Sequence, residues 1–271
     1  MAETENLIET LALERIEVNL FRGVAPRDQG PRIFGGLVIA QALLGAYRTV
    51  EARVCHSLHC YFIRPGDPSV PILYDVDRAR DGKSFTTRRV TAIQHGAQIF
   101  NLAASFQDVE EGMEHQDDPP AVPRPEDLVD DEVDTSWRRA IEMRWVEGRD
   151  VENPTPSPPV QNVWMRCLTP LPADIAVQQA VLAYASDMSL LSTAMRPHAV
   201  GWRTPGFQSA SLDHAIWFHR PSNFNDWHLY AQKSPSASGA RGFNLGEIYN
   251  IDGRLVASTA QEGLTRMRKP A

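Results

Sequence analysis

The chain carries one sequence plan twice. LHCYFIRP at 58–65 opens a run of alternating residues that ends in AASFQ at 103–107, and LDHAIWFHRP at 212–221 opens a second run that ends in ASTAQ at 257–261. In each run an apolar strand stops at Arg-Pro, hairpin turns follow, and a strand of small residues ends in Gln. This repetition indicates a duplicated fold unit. Because duplicated units can hold different residues at matched positions, we expect the functional residues where the halves differ.

The first run predicts an antiparallel sheet around one buried helix. Residues 57–107 alternate with period two, and the Asp-Gly pair at 81–82 and the His-Gly pair at 95–96 are typical of hairpin turns. Residues 34–44 open a helix that is apolar nearly all round, which is the pattern of a helix without a solvent face. Since an antiparallel sheet buries one face, this helix is the element available to cover it.

The second half repeats the plan after a long connection. Residues 161–167 are predicted as a strand and residues 175–191 as a helix, and strands follow from Phe207, with the Asp-Gly pair at 252–253 as the clearest hairpin turn. The connection is acidic and Pro-rich, with one short strand predicted around residues 141–145. The chain is therefore divided into an N-terminal unit (1–110), a linker (111–160) and a C-terminal unit (161–271).

Composition limits the classes of binding partner and the cellular compartment that we expect for the protein. The 271 residues carry a formal net charge of −7, with much of the acid between residues 108 and 131, so the overall field repels nucleic acid and anionic membranes. No apolar run reaches the roughly 20 residues of a membrane span. The N-terminal residues lack the layout of a secretory signal, and we expect a cytoplasmic protein. Cys55, Cys60 and Cys167 suit reduced core thiols better than a disulfide or a metal site.

Several blocks, found in the same order, resemble the acyl-CoA thioesterase II family. They cover nearly the whole chain outside the linker. The blocks are FGG at 34–36, AQA at 40–42, HSLH at 56–59, RPGD at 64–67, YASD at 184–187, SLDHAIWFHRP at 211–221 and ASTAQEG at 257–263. One position departs from the pattern, because Leu37 stands where the family usually has Gln after Gly-Gly. A different acyl preference is one expected consequence.

The resemblance implies an α+β fold of two tandem hotdog units, each an antiparallel sheet wrapped around a long central helix. It implies hydrolysis of acyl-CoA thioesters to free fatty acid and CoA at the interface of the units. It also implies a catalytic trio, which falls on Asp187, Ser211 and Gln261 of the C-terminal unit. No cofactor is expected, since CoA is part of the substrate and product. A homo-oligomer is expected because hotdog sheets present edges and faces that pair.

The chemistry of the trio agrees with this interpretation. Thioester hydrolysis needs an aimed water, a proton acceptor and donors for the developing oxyanion. Asp187 can accept the water proton, while Ser211 and Gln261 can hold the same water. Taken singly, the three also have structural explanations as a helix-end residue, an ordinary strand serine and a partner for buried backbone. The first-half helix contains no acid, so we predict one working site per chain.

Further candidates surround the trio. The backbone amides of Gly35 and Gly36 are candidate oxyanion donors at a helix start. The candidate contacts of the CoA phosphates are basic: Arg64, Arg88, Arg89, Arg241 and Lys83. Three residues are expected beside the trio rather than in the reaction: Asp213, His214 and His59. Three apolar residues are candidates for the wall of an acyl tunnel: Met188, Trp217 and Phe218.

Two other functions remain open from the sequence. A hotdog 2-enoyl-CoA hydratase would need an Asp-His pair, and Asp213 with His214 offers one. Adjacent residues of a strand point to opposite faces, however, which argues against a shared role. A non-catalytic acyl-thioester binding protein would use the same tunnel without turnover, and only the trio argues for hydrolysis.

Overall fold

The protein is described here by a computed structural model that covers residues 6–26, 30–128, 140–148 and 150–268. In these ranges thirteen strands form one antiparallel sheet with three α-helices, α1 (Leu7–Leu11), α2 (Gly35–Tyr47) and α3 (Ile175–Ser186). The strands are β1 (Leu13–Arg15), β2 (Leu20–Gly23), β3 (Val54–Phe62), β4 (Ile72–Asp81), β5 (Phe85–Gln94), β6 (Ala97–Gln107), β7 (Ile141–Trp145), β8 (Val160–Cys167), β9 (Phe207–Ser211), β10 (Asp213–Phe218), β11 (His228–Ser238), β12 (Arg241–Asn250) and β13 (Leu255–Met267).

Both halves of the sheet follow one strand order. The full path is β1-β2-β4-β5-β6-β3-β10-β13-β12-β11-β8-β7, and β9 pairs with β13 outside this path. Counted from β2 in the first half and from β8 in the second, with β9 left out, each half runs first, third, fourth, fifth, second. The halves join where β3 pairs with β10, with Leu58 opposite Ile216. The second strand of each half is therefore at the centre of the sheet.

Helices α2 and α3 lie against each other on the inner face of the sheet. Leu37, Ile39 and Leu43 of α2 are fully buried, as its apolar sequence predicts. Gly36 allows the close approach of the two helices, because a Cβ atom there would lie 2.4 Å from the carbonyl oxygen of Tyr184. The start of α2 is thus brought to the end of α3.

The structure shortens one predicted helix and confirms several turns. The helix predicted over 175–191 ends at Ser186, and a 3₁₀ helix follows over Leu190–His198. Leu190 and Leu191 are buried from this second helix, so apolar spacing alone could not separate the two. The His-Gly turn at 95–96 has two positive φ angles, 50° and 70°, as a tight hairpin requires. The short strand predicted at 141–145 is β7, and it pairs with β8.

Candidate active site

Three predicted residues meet where α3, β9 and β13 converge. Gln261 Nε2 lies 2.6 Å from Asp187 Oδ1 and 3.2 Å from Ser211 Oγ, and Ser211 Oγ lies 3.4 Å from Asp187 Oδ1. Asp187 is the C-cap residue, directly after the last residue of α3. Ser211 ends β9 opposite Gly263 of β13, two residues beyond Gln261, so strand pairing brings the hydroxyl to the carboxamide. A carboxylate, a hydroxyl and a carboxamide are therefore joined by hydrogen bonds.

Asp187 and Ser211 line a cavity of about 690 Å³, and Gln261 is fully buried behind them. This volume is in the range of pockets that hold small-molecule ligands. The wall is mostly apolar and comes from both halves of the chain. Its apolar members include Ile33, Phe34, Val38, Phe62, Phe100, Met188, Leu191 and Trp202. An apolar chain can be buried here next to the carboxylate of the trio.

The start of α2 forms the part of the wall next to the end of α3. Gly35 lines the cavity, and a Cβ atom there would lie 2.6 Å from Asp187 Oδ2. The first amides of a helix have no partner within the helix, and this end carries partial positive charge. Of the two predicted oxyanion donors, Gly35 therefore lies at the cavity, whereas Gly36 packs against Tyr184.

His214 lies behind the trio in the protein interior. Its Nδ1 is 3.1 Å from Gln261 Nε2, and its Nε2 is 2.9 Å from Ser186 Oγ. Burial lowers the pKa of His214 to about 3, so the imidazole is neutral at physiological pH. His214 thus contacts the trio through Gln261.

Asp213 and His59 have partners other than the side chains of the trio. Asp213 Oδ1 accepts a hydrogen bond of 2.7 Å from the backbone N–H of Glu262, and burial raises the pKa of this carboxyl. His59 is exposed, and its ring meets Trp217 edge-on at 5.1 Å between centroids. Asp213 and His214 bind different partners, so the Asp-His arrangement of a hydratase is not formed by this pair.

The predicted phosphate contacts are widely separated. Arg64 lines the cavity, whereas Arg88, Arg89 and Arg241 lie outside its described wall. Arg88 is 2% exposed; its Nε donates to Thr49 Oγ1 at 2.8 Å and its Nη2 pairs with Asp81 at 2.6 Å.

These contacts make Arg88 a structural residue, because its guanidinium is occupied inside the first half. Arg241 pairs with Glu262 at 2.8 Å, Arg89 is exposed on β5, and Lys83 is exposed in the turn after β4.

Of the predicted tunnel residues only Met188 lines the cavity, since Trp217 lies on the outer face and Phe218 is buried elsewhere.

Sequence reasoning missed most of the cavity wall, including two arginines and two tryptophans. Arg32 and Arg203 are exposed at this wall, beside Trp145 and Trp202. Arg32 follows a Gly-Pro-rich loop and Arg203 lies in a turn, where no periodicity marks a side chain's direction. Trp145 belongs to the predicted short strand, but five residues did not reveal which face was buried. Only tertiary placement identifies these residues.

Three other features would indicate a different class of site: a membrane-spanning helix, a metal site and a reactive cysteine. No helix there is both long and apolar enough to cross a membrane. The same ranges contain no group of three or more His, Cys, Asp or Glu residues arranged for a metal ion. Cys55, Cys60 and Cys167 are free and buried, and burial raises the pKa of each thiol. Buried thiols of raised pKa are poor nucleophiles.

The comparisons with known proteins first define the class. An acyl-CoA thioesterase II from Mycobacterium marinum is 44% identical and superposes with a TM-score of 0.85, covering 96% of this chain and 98% of that chain. A hotdog-fold protein of unknown function from Alicyclobacillus acidocaldarius, 20% identical, has a TM-score of 0.82 over 99% of this chain and 100% of its own. The fold is therefore that of the hotdog thioesterases.

Sequence comparison then gives the family. The acyl-CoA thioesterase family matches residues 134–264, and the acyl-CoA thioesterase N-terminal domain matches residues 24–107. Acyl-CoA thioesterase 2 of Haemophilus influenzae is 42% identical over 278 residues, covering 96% of this chain and 97% of that protein. Human acyl-coenzyme A thioesterase 8 is 38% identical over 282 residues, covering 95% and 88%. The chain belongs to the acyl-CoA thioesterase II family and hydrolyses acyl-CoA thioesters.

Proposed function

We propose that this thioesterase uses Asp187, Ser211 and Gln261 to activate a water against the thioester carbonyl. The observation that carries the proposal is the convergence of the three side chains, with contacts of 2.6 to 3.4 Å, at the large cavity, where Asp187 and Ser211 line the wall and Gln261 lies buried behind them. Asp187 supplies the base, the Gln261 carboxamide fixes the position of this carboxylate, and the Ser211 hydroxyl at the cavity wall is placed to contact the water.

In the proposed reaction the water oxygen bonds to the carbonyl carbon while its proton passes to Asp187. The oxyanion is stabilised by backbone amides at the start of α2, where Gly35 lines the cavity. The C–S bond then breaks, and the departing CoA thiolate recovers a proton from Asp187. Ser211 is not assigned as the nucleophile, because the imidazole linked to the trio, that of His214, is bound to Gln261 and Ser186.

The same cavity offers sites for both parts of the substrate. Its apolar wall suits the acyl chain, and three exposed arginines at the wall suit the CoA phosphates: Arg32, Arg64 and Arg203. Arg203 forms an ion pair with Glu152, which an anionic phosphate would replace. We assign these three residues, rather than Arg88, Arg89 or Arg241, to the phosphates.

We also infer that each half of the chain is one hotdog unit, with the boundaries 1–110 and 161–271 on either side of a linker. The repeated strand order supports this, as does the buried helix that each half contributes. The site then requires both units, since Gly35 comes from the first and Asp187 from the second. The N-terminal unit would act by providing the oxyanion donors.

Two properties of the whole protein are proposed alongside. Free cysteines support a reducing, cytoplasmic location. Exposed aromatic residues on the outer face of the two central strands, Tyr61 at 61% and Trp217 at 37%, support a homo-oligomer in which this face meets a second copy. Light scattering on the purified protein measures the assembly.

The proposed mechanism is tested by Asp187→Asn, which keeps the size of the side chain and removes the base. Turnover of acyl-CoA, followed as free thiol, should fall by roughly 10²–10⁴-fold. Asp174→Asn is the matched control: Asp174 is an exposed carboxylate that caps the other end of α3, and Asn caps a helix equally well. Wild-type turnover in Asp187→Asn would remove this residue from the mechanism, and hydration of crotonyl-CoA would favour the hydratase.

A further inference from the structure

The orientation of the Gln261 carboxamide is set by hydrogen bonds from its nitrogen. Gln261 Nε2 lies 2.6 Å from Asp187 Oδ1, 3.1 Å from His214 Nδ1 and 3.2 Å from Ser211 Oγ, but an NH₂ group has only two hydrogens. Gln261 Oε1 is buried and finds no hydrogen-bond partner among the described residues. The carboxamide oxygen therefore contributes nothing that would keep the group in this orientation, and the nitrogen's partners must do so.

Hydrogen counting assigns the tautomer of His214. Ser186 Oγ is 2.9 Å from the carbonyl oxygen of Ala183 and 2.9 Å from His214 Nε2. The carbonyl can only accept, so it takes the single hydroxyl hydrogen, and Ser186 must accept from His214 Nε2–H. The neutral imidazole then presents the lone pair of Nδ1 to Gln261.

Asp187 and His214 consequently demand the same orientation of Gln261. One N–H is donated to the carboxylate and the other to the imidazole. If the carboxamide were turned by 180°, its oxygen would face a carboxylate oxygen and a nitrogen lone pair, and acceptors would oppose acceptors. A buried acceptor that faces another acceptor loses its hydrogen bond and is destabilising, and a charged acceptor is destabilised most. Ser211 is left to donate its own hydrogen to Asp187.

We propose that His214 is a positioning residue of the thioesterase, which holds the Gln261 amide with its NH₂ group toward Asp187. The inference rests on the proposed function of Gln261 in the reaction. The chain of donors runs from Gln261 to His214, from His214 to Ser186 and from Ser186 to the backbone of α3, so the orientation is anchored in the helix that ends at Asp187. His214 itself stays behind the cavity wall.

The groups around His214 leave it without a competing charged partner among the described residues. Cys60 Sγ donates to the backbone oxygen of His214, and the hydroxyl of Tyr230 donates to the backbone oxygen of Ser186. Burial raises the pKa of both side chains, so both are neutral. Asp213 is turned toward the Glu262 backbone. Asp187 is the remaining charge, and it acts through Gln261.

Two variants of equal length of side chain separate positioning from packing. In His214→Asn, Oδ1 takes the place of Nδ1 and can still accept from Gln261; in His214→Leu no acceptor remains. Both lose the contact with Ser186. We expect kcat to fall by about 10–100-fold in His214→Leu with KM changed less than about twofold, and by less than about threefold in His214→Asn. The acidic limb of the pH–rate profile should move to higher pH only in His214→Leu, because Asp187 loses a fixed donor.

A double-mutant cycle connects the effect to its target. In the Gln261→Ala background, His214→Leu should cause no further loss of kcat, since the residue it positions is gone. Two results would overturn the inference and leave the proposed function intact. One is a low kcat in Gln261→Ala with a wild-type kcat in His214→Leu, and the other is an equal loss of kcat in His214→Asn and His214→Leu. A wild-type rate in Gln261→Ala would instead overturn the proposed trio. If His214→Leu does not fold, Ser186→Ala replaces it as the test. This variant removes the group that fixes the proton on His214 Nε2, so kcat should still fall. A wild-type kcat in Ser186→Ala would count against the positioning role.

Discussion

At Gly35 the absence of a side chain decides whether Asp187 has room. A Cβ atom there would lie 2.6 Å from Asp187 Oδ2 and 2.8 Å from the ring of Phe62. We therefore expect Gly35→Ala to displace the carboxylate and to lower kcat by at least about tenfold, in line with the sensitivity of catalysis to ångström-scale misplacement. Thiol-release kinetics measure the effect.

The control is Gly45→Ala in the same helix. There a Cβ atom would meet its nearest neighbours at 3.7 to 3.8 Å, which is ordinary contact, so activity should be kept and stability should rise by about 0.5–1 kcal/mol. Full activity in Gly35→Ala would mean that the carboxylate can move without consequence.

The buried imidazole of His214 also makes stability depend on pH. Its pKa is about 3 in the folded protein against an ordinary value of 6.5, so between these limits the unfolded chain binds a proton that the folded chain does not. The contribution of His214 to stability therefore falls as the pH decreases below 6.5. Between pH 7 and pH 5 the wild type should lose about 2 kcal/mol more than His214→Asn, as measured by urea unfolding. Equal losses would mean that the imidazole is protonated without penalty.

At the scale of elements, the contact between α2 and α3 joins the two halves next to the reaction. The nearest atom to a Cβ at Gly36 would be a backbone oxygen, that of Tyr184 at 2.4 Å, which cannot rotate away as a side chain could. Gly36→Ala should therefore force the helices apart and destabilise the protein by about 1–3 kcal/mol. A fall in the urea midpoint relative to Gly45→Ala is the expected measurement. An unchanged midpoint would show that the helix pair tolerates separation.

The elements were largely predictable because their signals are local. Period-two alternation and turn residues located the strands, and an apolar sequence located α2. The end of α3 was not predictable, since Leu190 and Leu191 continue the apolar spacing while the backbone changes to a 3₁₀ helix. This difference matters for the site, because it places Asp187 at the helix end rather than inside the helix.

At the scale of the whole molecule, positively charged residues are found at the cavity although the net charge of the chain is negative. The chain has a net charge of −7, yet Arg32, Arg64 and Arg203 are exposed at the wall of the cavity. Arg32→Ala and Arg64→Ala should raise KM for acyl-CoA with little change in kcat, and the KM of the wild type should rise with ionic strength. Arg241→Ala, whose partner is Glu262 on the outer face, is the control. Equal effects of all three substitutions would remove the assignment of the phosphates to the cavity.

The sequence alone determined the repeated plan, the buried helix and the kinds of residue available for water activation, because these follow from local periodicity and side-chain chemistry. Tertiary structure decided which of them meet. Gly35 and Asp187 are separated by most of the chain and become neighbours only through the pairing of β3 with β10 and the contact of α2 with α3. The same packing buries Arg88 beside Asp81 and leaves Arg203 at the cavity, since the position of a long side chain depends on neighbours that are distant in sequence.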